Sequence, residues 1–197
     1  MHEILFIVLS YLLGSIPVGF IVFYMTEKKD IRREGSGNIG ATNVFRCGGK
    51  VAGLSTLILD ILKGFLPVIY GLSHFDYPVM GVLGGAVVIT GHIFPLFLKF
   101  KGGKGVATFA GVLLAYSIPA FLIFFMVFIL TVIATKYVSA GSMLGVISSF
   151  FFFLFSQIVE IAMIIFVVTV FIIIRHKTNL KKIFSNTENK LGFGKNG

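Results

Sequence analysis

The chain has 197 residues, of which 56% are hydrophobic, and its mean hydropathy is +0.98. Soluble globular chains are usually about 45–50% apolar, so this composition indicates an integral membrane protein. The 17 Lys and Arg residues outnumber the 8 acids, but they lie between long apolar runs. That placement follows the positive-inside rule of membrane proteins and argues against a nucleic-acid partner. The single cysteine, Cys47, excludes an internal disulfide framework and a cysteine metal cluster.

The first uncharged run covers residues 4–26 and is preceded by His2 and Glu3. A cleavable signal peptide needs positive charge before its apolar region, so we expect this run to remain in the protein as a membrane helix. Basic residues follow the run, within positions 28–33. This order of charges predicts that the N-terminus lies outside and that the next loop lies inside.

Two further apolar segments, residues 51–72 and 77–98, each have about the ~20 residues that span a bilayer. The runs 105–135 and 137–174 are too long to be single helices across a hydrocarbon core of ~30 Å. We therefore expect each of these two runs to form a hairpin of two short helices.

The first hairpin is expected to break at Ser117-Ile118-Pro119, because proline disfavours continuation of the helix before it. The second is expected to break at Ser156-Gln157. The sequence thus predicts an all-α integral membrane fold of about seven transmembrane helices, some of them short, in a single membrane-embedded domain over residues 1–197. The N-terminus is expected outside and the C-terminus in the cytoplasm. A five-span alternative keeps this orientation but places Lys136 outside.

Seven spans place sixteen of the 17 Lys and Arg residues on the cytoplasmic side, and the remaining one, Lys63, lies within the second span. Asp60 and Lys63 are three residues apart, so they can pair on one face of that helix. Charge inside a membrane segment is a functional hint, and a helix-stabilising ion pair is the alternative. We interpret His92 and Cys47 as structural.

The first cytoplasmic loop is rich in glycine, and Gly35, Gly37 and Gly40 match the pattern G-x-G-x-x-G. A dinucleotide site needs a strand before that pattern, whereas a membrane helix precedes it here. The glycines can nevertheless let backbone N–H groups approach an anion, and Arg46 offers a fork suited to phosphate. The neutral candidate donors are Ser36, Asn38, Thr42 and Asn43. The alternative is a glycine-rich turn with a capping serine.

The second loop contains Gly102-Gly103-Lys104-Gly105 at the expected start of a helix. The spacing of its glycines does not fit a Walker A loop. A helix start has N–H groups without helical partners, which favour anions, so Lys104 is the strongest single candidate for a phosphate ligand. Positive-inside anchoring is the alternative for the lysines of this loop.

Two more polar segments are expected on the same side of the membrane. Ser139 and Ser142 lie at a helix start, where either can cap the helix, and Ser142 can alternatively contribute a polar role to the site. His176 and Asn179 follow the last apolar run. Histidine titrates near neutrality, so His176 is a candidate base or phosphate donor, and Asn179 can orient a hydroxyl.

Together these segments resemble the three cytoplasmic motifs of the PlsY family, bacterial acyl-phosphate:glycerol-3-phosphate acyltransferases. The matching motifs are Ser36-Gly-Asn-Ile-Gly-Ala-Thr-Asn-Val-Phe-Arg46, then Gly91-His with Lys101-Gly-Gly-Lys-Gly-Val-Ala-Thr108, and finally His176-Lys-Thr-Asn-Leu-Lys with Glu188-Asn-Lys. The first two are long and specific, the third is looser, and the resemblance covers essentially the whole chain.

The resemblance implies transfer of a fatty acyl group from acyl-phosphate to the sn-1 hydroxyl of glycerol 3-phosphate. The products would be lysophosphatidic acid and inorganic phosphate, the first step of phospholipid synthesis. No metal, CoA or other cofactor is implied. The implied setting is the bacterial inner membrane, with the active site facing the cytoplasm and a functional link to the soluble enzyme that makes acyl-phosphate.

Our hypothesis is direct attack in a ternary complex without a covalent acyl-enzyme, by positioning and electrostatics. The hydroxyl proton goes either to a phosphate oxygen of the donor or to His176. The expected catalytic residues are Lys104, His176 and Asn179, and the expected phosphate-binding residues are Ser36, Gly37, Asn38, Thr42, Arg46, Gly102, Gly103 and Ser142. The alternatives are a small transporter of an organic anion, a non-enzymatic anchor for anionic lipid, and an acyltransferase with another acyl donor.

Overall fold

A computed structural model of the chain describes residues 1–156 and 158–191. Within these residues the regular structure is helical. The α-helices are α1 (His2–Ser15), α2 (Val18–Glu27), α3 (Ala41–His74), α4 (Pro78–Ile93), α5 (Val106–Tyr116), α6 (Ile118–Thr135), α7 (Val138–Phe155), α8 (Val159–Arg175) and α9 (Lys177–Phe184). Short 3-10 turns occupy Ile31–Arg33 and Leu96–Leu98. The all-α prediction is confirmed.

Among the described residues, 5 helical segments are long and apolar enough to cross a membrane, with α1 and α2 counted as one segment. The bent pair α8 and α9, with an angle of 54° between its helices, makes a sixth, and the shorter α5 is also apolar. Large side chains on the outer faces of these helices, such as Met126 and Met163, are 55% and 65% exposed. Such faces suit lipid contact, so the fold is that of an integral membrane protein. Its orientation in the bilayer stays a prediction.

The break predicted at Ser117-Ile118-Pro119 is confirmed. Ser117 is the N-cap of α6, and its side-chain oxygen accepts a hydrogen bond of 3.4 Å from the N–H of Ala120. Proline in the first turn of α6 costs no helical hydrogen bond there. The break predicted at Ser156-Gln157 agrees with the end of α7 at Phe155, although Gln157 itself lies outside the described residues.

The first span differs from its prediction, because it is broken in the middle. Pro17 separates α1 from α2, and the N–H of Val18 donates to Ile16 O at 3.0 Å instead of to Gly14 O. Proline has no N–H and clashes with the turn before it, which ends α1. His2–Glu27 is nevertheless one segment long and apolar enough to cross a membrane, in agreement with the predicted span over residues 4–26.

Helix α3 comprises two helical parts joined at Gly49, and the part after the kink agrees with the predicted apolar segment 51–72. It starts at Ala41, so the second half of the first motif is helical, and the backbone is kinked at Gly49, where φ is 81°. Glycine adopts this left-handed conformation at little cost. The first loop consequently ends at Gly40, the N-cap of α3, and leads directly into a helix N-terminus.

The chain forms two compact units, Met1–Tyr116 and a second unit from Ser117 onwards, and the single-domain prediction stays a prediction. In the N-terminal unit, glycines let helices approach backbone to backbone, as is usual in membrane bundles. A Cβ at Gly64 of α3 would overlap the carbonyl oxygen of Thr108 in α5, and one at Gly111 of α5 would overlap that of Ile61 in α3. In the second unit, a Cβ at Gly141 of α7 would come within 2.7 Å of Phe128 O in α6.

We expect Gly64→Val to lower the stability of the N-terminal unit by about 1–3 kcal/mol, since the new side chain meets rigid backbone of α5 and not a movable side chain. Thermal unfolding in detergent, followed by circular dichroism, measures this change. Leu66→Val on the same helix is the control, because Leu66 is 55% exposed. Equal melting temperatures for the two variants would contradict close packing of α3 on α5.

Candidate active site

The first motif is organised by one buried amide, that of Asn43 in the first turn of α3, which is 3% exposed. Its Nδ2 donates to Glu34 O at 3.1 Å and to Asn38 O at 2.9 Å. Its Oδ1 accepts from the N–H of Ser36 at 2.9 Å. These bonds close the loop over residues 34–43 onto the helix. Asn43 therefore shapes the loop, and the expectation that it offers a donor to a ligand is not supported.

Left-handed glycines allow this closed loop. Gly35 has a φ of 57° and Gly37 a φ of 72°, and a Cβ at Gly35 would overlap Asn43 Oδ1. The Asn38 side chain accepts a hydrogen bond of 2.7 Å from the N–H of Gly40, which is the N-cap of α3. No side chain caps α3, so the alternative of a capping serine is wrong.

The closed loop leaves its candidate ligands for phosphate on the outside. Ser36, Gly37, Thr42 and Arg46 are exposed, and Asn38 is half-buried. Among the described residues, Arg46 has no acidic partner within ion-pair distance. The loop leads into the N-terminus of α3, where the helix dipole favours an anion. The loop thus combines a helix N-terminus, hydroxyls and a guanidinium, which is a set of groups suited to phosphate.

A second arginine in this region, Arg32, is already engaged. Its guanidinium contacts the Asp30 carboxylate at 2.6 Å, and the Asp30 side chain also accepts the N–H of Arg32. The hydrogen bond from Arg32 lowers the pKa of the Asp30 carboxyl, so the pair stays ionised at neutral pH. Arg46 is therefore the better candidate for binding an anionic ligand.

The second motif is held against the end of α4. The N–H of Gly102 donates to Ile93 O at 3.2 Å, and the N–H of Gly103 donates to His92 O at 3.0 Å. A Cβ at Gly102 would overlap His92 O, and one at Gly103 would overlap the His92 ring. The glycines are required for this close approach. The expectation that their N–H groups cradle a phosphate is not supported by this geometry, because both already donate to carbonyls.

Lys104 follows these glycines and is partly exposed. Gly105, with a φ of 85°, then turns the chain into α5, whose first hydrogen bond runs from Phe109 N to Gly105 O at 2.8 Å. Lys104 therefore stands immediately before a helix N-terminus, where charge and amide dipoles favour an anion.

The two motifs of the N-terminal unit share one hydrophobic cluster. Ile39 and Val44 of the first motif and Leu98 of the second pack in it with Phe23 and Ile31. The structure therefore brings the glycine-rich loop and the segment that leads to Lys104 together, although they are about sixty residues apart in sequence.

In the second unit, a carboxylate of the third motif joins two candidate segments. Glu188 Oε1 accepts from Ser139 Oγ at 2.8 Å and from Asn179 Nδ2 at 2.6 Å. The tail continues with a hydrogen bond from the N–H of Leu191 to Lys136 O at 2.7 Å. Glu188 lies in the third motif, but no role was predicted for it. The available signal was an isolated acid in a strongly basic tail.

Ser142 and His176 are both buried, at 5% and 2% exposure. Ser142 Oγ donates to Val138 O at 2.9 Å, and the N-cap of α7 is Tyr137 with no side-chain cap. The alternative of a serine cap is therefore wrong for both Ser139 and Ser142. The Nδ1 atom of His176 lies 2.8 Å from Ile172 O. A carbonyl can only accept, so Nδ1 carries the proton and Nε2 is the basic nitrogen of the neutral ring.

The described helices and loops define a class: an integral membrane protein with two glycine-shaped segments that carry Arg46 and Lys104, side chains of a kind suited to an anionic ligand. The chain matches the family model described as glycerol-3-phosphate acyltransferase over residues 4–186. It therefore belongs to the glycerol-3-phosphate acyltransferase family, and the resemblance to the PlsY family is confirmed.

The relatives cover the whole chain. A glycerol-3-phosphate acyltransferase of Macrococcus caseolyticus is 44% identical over 195 residues, which are 99% of this chain and 100% of the relative. One of Bacillus subtilis is 43% identical over 188 residues, 95% and 96% of the two chains. The crystal structure of PlsY (YgiH), an integral membrane glycerol 3-phosphate acyltransferase, in its glycerol 3-phosphate form is similar with a TM-score of 0.92 and 35% identity, covering 98% of this chain and 96% of that one.

We expect Asn43→Ala to open the first motif and to accelerate alkylation of Cys47 several-fold. The Cys47 thiol lies 3.8 Å from Asn43 Oδ1, and it is the single cysteine of the chain, so maleimide modification reports on this point alone. Without the Asn43 side chain, Glu34 O and Asn38 O lose the amide that donates hydrogen bonds to them. Thr42→Ala, an exposed neighbour, is the control. An unchanged rate in Asn43→Ala would mean that this amide does not hold the loop.

Proposed function

We propose that this acyltransferase takes its acyl group from acyl-phosphate and transfers it to the sn-1 hydroxyl of glycerol 3-phosphate, giving lysophosphatidic acid and inorganic phosphate. The observation that carries the proposal is the whole-chain similarity to a PlsY acyltransferase whose structures include a glycerol 3-phosphate form and a lysophosphatidic acid form. Glycerol 3-phosphate is the acceptor of the proposed reaction, and lysophosphatidic acid is its product.

Acyl-phosphate suits the groups that the chain offers. A mixed anhydride is already activated, so the protein needs no nucleophile of its own and can act by positioning and by stabilising charge at the carbonyl. The sequence has no His-x-x-x-x-Asp pattern, the base motif familiar from CoA-dependent glycerolipid acyltransferases. We therefore favour direct attack on the donor without a covalent acyl-enzyme.

In the N-terminal unit, we assign one phosphate to Ser36, Gly37, Asn38, Thr42 and Arg46, and the other to Lys104. Arg46 can form two parallel hydrogen bonds to phosphate, whereas Lys104 acts as a point charge beside the amides of α5. Gly102 and Gly103 contribute by placing Lys104, since their own N–H groups donate to α4.

In the second unit, we assign catalytic roles to His176 and Asn179 and a phosphate-binding role to Ser142. The Ser142 proton is donated to Val138 O, so phosphate binding requires this hydroxyl to rotate. Asn179 is oriented by Glu188. The hydroxyl proton of glycerol 3-phosphate goes either to a phosphate oxygen of the donor or to Nε2 of His176.

The cellular setting follows from the same proposal. The protein lies in the bacterial inner membrane, with its active site facing the cytoplasm, where sixteen of the 17 Lys and Arg residues fall in the seven-span topology. Acyl-phosphate would come from the soluble enzyme that makes it. The long acyl chain and the phosphate head of the donor match an apolar helix bundle with basic loops.

The donor is tested by inorganic phosphate release from purified protein in detergent, given palmitoyl-phosphate and glycerol 3-phosphate. We expect release that requires both substrates, is absent with acyl-CoA, and falls at least about 10²-fold in Lys104→Ala, because a charge that stabilises the transition state is lost. Lys99→Ala, an exposed lysine of the same loop, is the control. Turnover with acyl-CoA would contradict acyl-phosphate as the donor. Absence of turnover by folded protein would contradict acyl transfer, and transport would then be measured in sealed vesicles.

The role of His176 is tested by His176→Ala. If Nε2 is the general base, turnover falls by about 10²–10⁴-fold, and the acidic limb of the pH profile disappears. His176→Asn is the matched variant, because its amide can still donate to Ile172 O while it cannot accept a proton at neutral pH. A small loss with a raised KM in both variants would favour proton transfer to the donor phosphate.

A further inference from the structure

Three ionisable side chains are buried together in the N-terminal unit, and the proposed function uses none of them. Asp60 is 1% exposed, Lys63 is 4% exposed and His92 is 5% exposed. Lys63 Nζ lies 2.9 Å from Asp60 Oδ1, and His92 Nδ1 lies 3.5 Å from the same oxygen. The ion pair expected from the sequence is confirmed, and His92 is a third member of the group.

Such a group is costly between apolar helices. An ion pair removed from water recovers its desolvation only with good geometry and further hydrogen bonds, and well-packed apolar residues are often as stable. Polar groups in membrane segments therefore usually serve a specific task. The question is which neighbouring parts of the chain this group holds.

Lys63 holds the break in the first span. Its ammonium donates to Gly14 O at 3.3 Å and to Ile16 O at 3.1 Å. Pro17 ends α1, so in this structure the N–H of Val18 donates to Ile16 O and not to Gly14 O. Lys63 supplies the donor that a continuous helix would have given to Gly14, and it brings the charge of α3 to the end of α1.

His92 holds the segment that precedes Lys104. Its carbonyl accepts the N–H of Gly103 at 3.0 Å, and a Cβ at Gly103 would overlap Nε2 of its ring. The imidazole therefore has Asp60 near Nδ1 and the backbone of Gly103 against Nε2. If the ring were displaced, the backbone of Gly103 would lose the group against which it packs. Lys104 is the next residue, so its position would change as well.

The end of α1 also contacts the chain that connects α4 to this segment. Tyr11 Oη donates to Phe94 O at 2.8 Å, and Ser15 Oγ accepts from the N–H of Leu96 at 3.3 Å. The turn over residues 94–96 is thus attached to the same helix end that Lys63 holds. One side of the second motif therefore contacts the helix end that Lys63 reaches, and the other contacts His92, which lies near Asp60.

We propose that Asp60, Lys63 and His92 form a positioning network for Lys104, in which Asp60 orients the imidazole and the imidazole fixes the Gly102–Gly103 backbone. This inference rests on the proposed role of Lys104 in acyl transfer. The three residues touch no substrate in it, and they act through the placement of the Lys104 ammonium.

The first test needs no turnover. Hydrogen–deuterium exchange of the protein in detergent, read in peptides that cover residues 99–106, reports the amides of Gly102 and Gly103. Asp60→Asn and His92→Ala should each accelerate exchange there about tenfold or more, while the peptides of α3 keep their protection. Thr56→Val is the matched control, since Thr56 is a fully buried polar residue of α3 that bonds only within its helix, to Ala52 O.

The second test combines variants with acyl transfer. Asp60→Asn should lower kcat about 10- to 100-fold, and Lys104→Ala should cost much less in the Asp60→Asn protein than in the wild type, because both losses act through one ammonium. His92→Asn should recover part of the activity lost in His92→Ala, since its amide can occupy the place of Nδ1 beside Asp60.

The possible results distinguish the positioning network from the proposed acyl transfer. Unchanged exchange over residues 99–106 in both variants, or full multiplication of the Asp60 and Lys104 losses, overturns the positioning network while the acyltransferase stands. Faster exchange along the whole of α3 also overturns it, because the group would then only stabilise the fold. A wild-type protein without turnover contradicts the proposed function, and the exchange measurement still decides the network.

Discussion

The contact between Lys63 and Asp60 is the interaction on which the N-terminal unit depends. It places a cation 2.9 Å from an anion between apolar helices, and the ammonium of Lys63 also donates to the irregular backbone at Gly14 and Ile16. Inside a bilayer, carbonyls and amides that leave a helix must find partners within the protein. The broken first span is tolerated here because an ammonium reaches the exposed carbonyls at the break.

Acids are scarce in this chain, and the described structure uses several of them to hold loops. Asp60 faces Lys63 and His92, Asp30 holds Arg32, and one oxygen of Glu188 accepts from both Ser139 and Asn179. An unpaired carboxylate beside an anionic ligand would repel it. Acids that are paired with donors can order the loops without opposing the basic residues.

The apolar runs predict the helices well, because about twenty consecutive residues without charge leave few other possibilities. The break at Ser117 could be predicted because proline and a capping hydroxyl act within one turn. The same rule applied to Pro17 would have found the break in the first span. The part of α3 after the kink at Gly49 agrees with the apolar stretch, whereas the part before it, from Ala41, was not predicted, because it has no long apolar run and its start depends on Gly40 and the buried Asn43.

The roles of individual site residues were harder to predict, because hydrogen-bond partners distant in sequence decide them. Nothing near Gly102 and Gly103 reveals that their N–H groups meet the last carbonyls of α4, nor that Glu188 reaches back to Ser139. Residue type alone marks the glycines, hydroxyls, amides and cations of the motifs as suited to phosphate. Only the packed structure separates those that are exposed, such as Ser36 and Arg46, from those that shape the loop, such as Asn43.

The separation between exposed candidate ligands and residues that shape the loops has a chemical consequence for the proposed reaction. Two anionic substrates must be held close enough to react, although they repel each other. Cations that are fixed in advance offset this repulsion without having to reorganise. Arg46 extends from the start of α3, on which Asn43 closes the first loop, and Lys104 extends from a segment packed on His92. Each charged side chain is therefore attached to a backbone that several hydrogen bonds hold in place. A cation on such a support loses less freedom when it binds phosphate, so less of its interaction energy is offset by the entropy cost of ordering it.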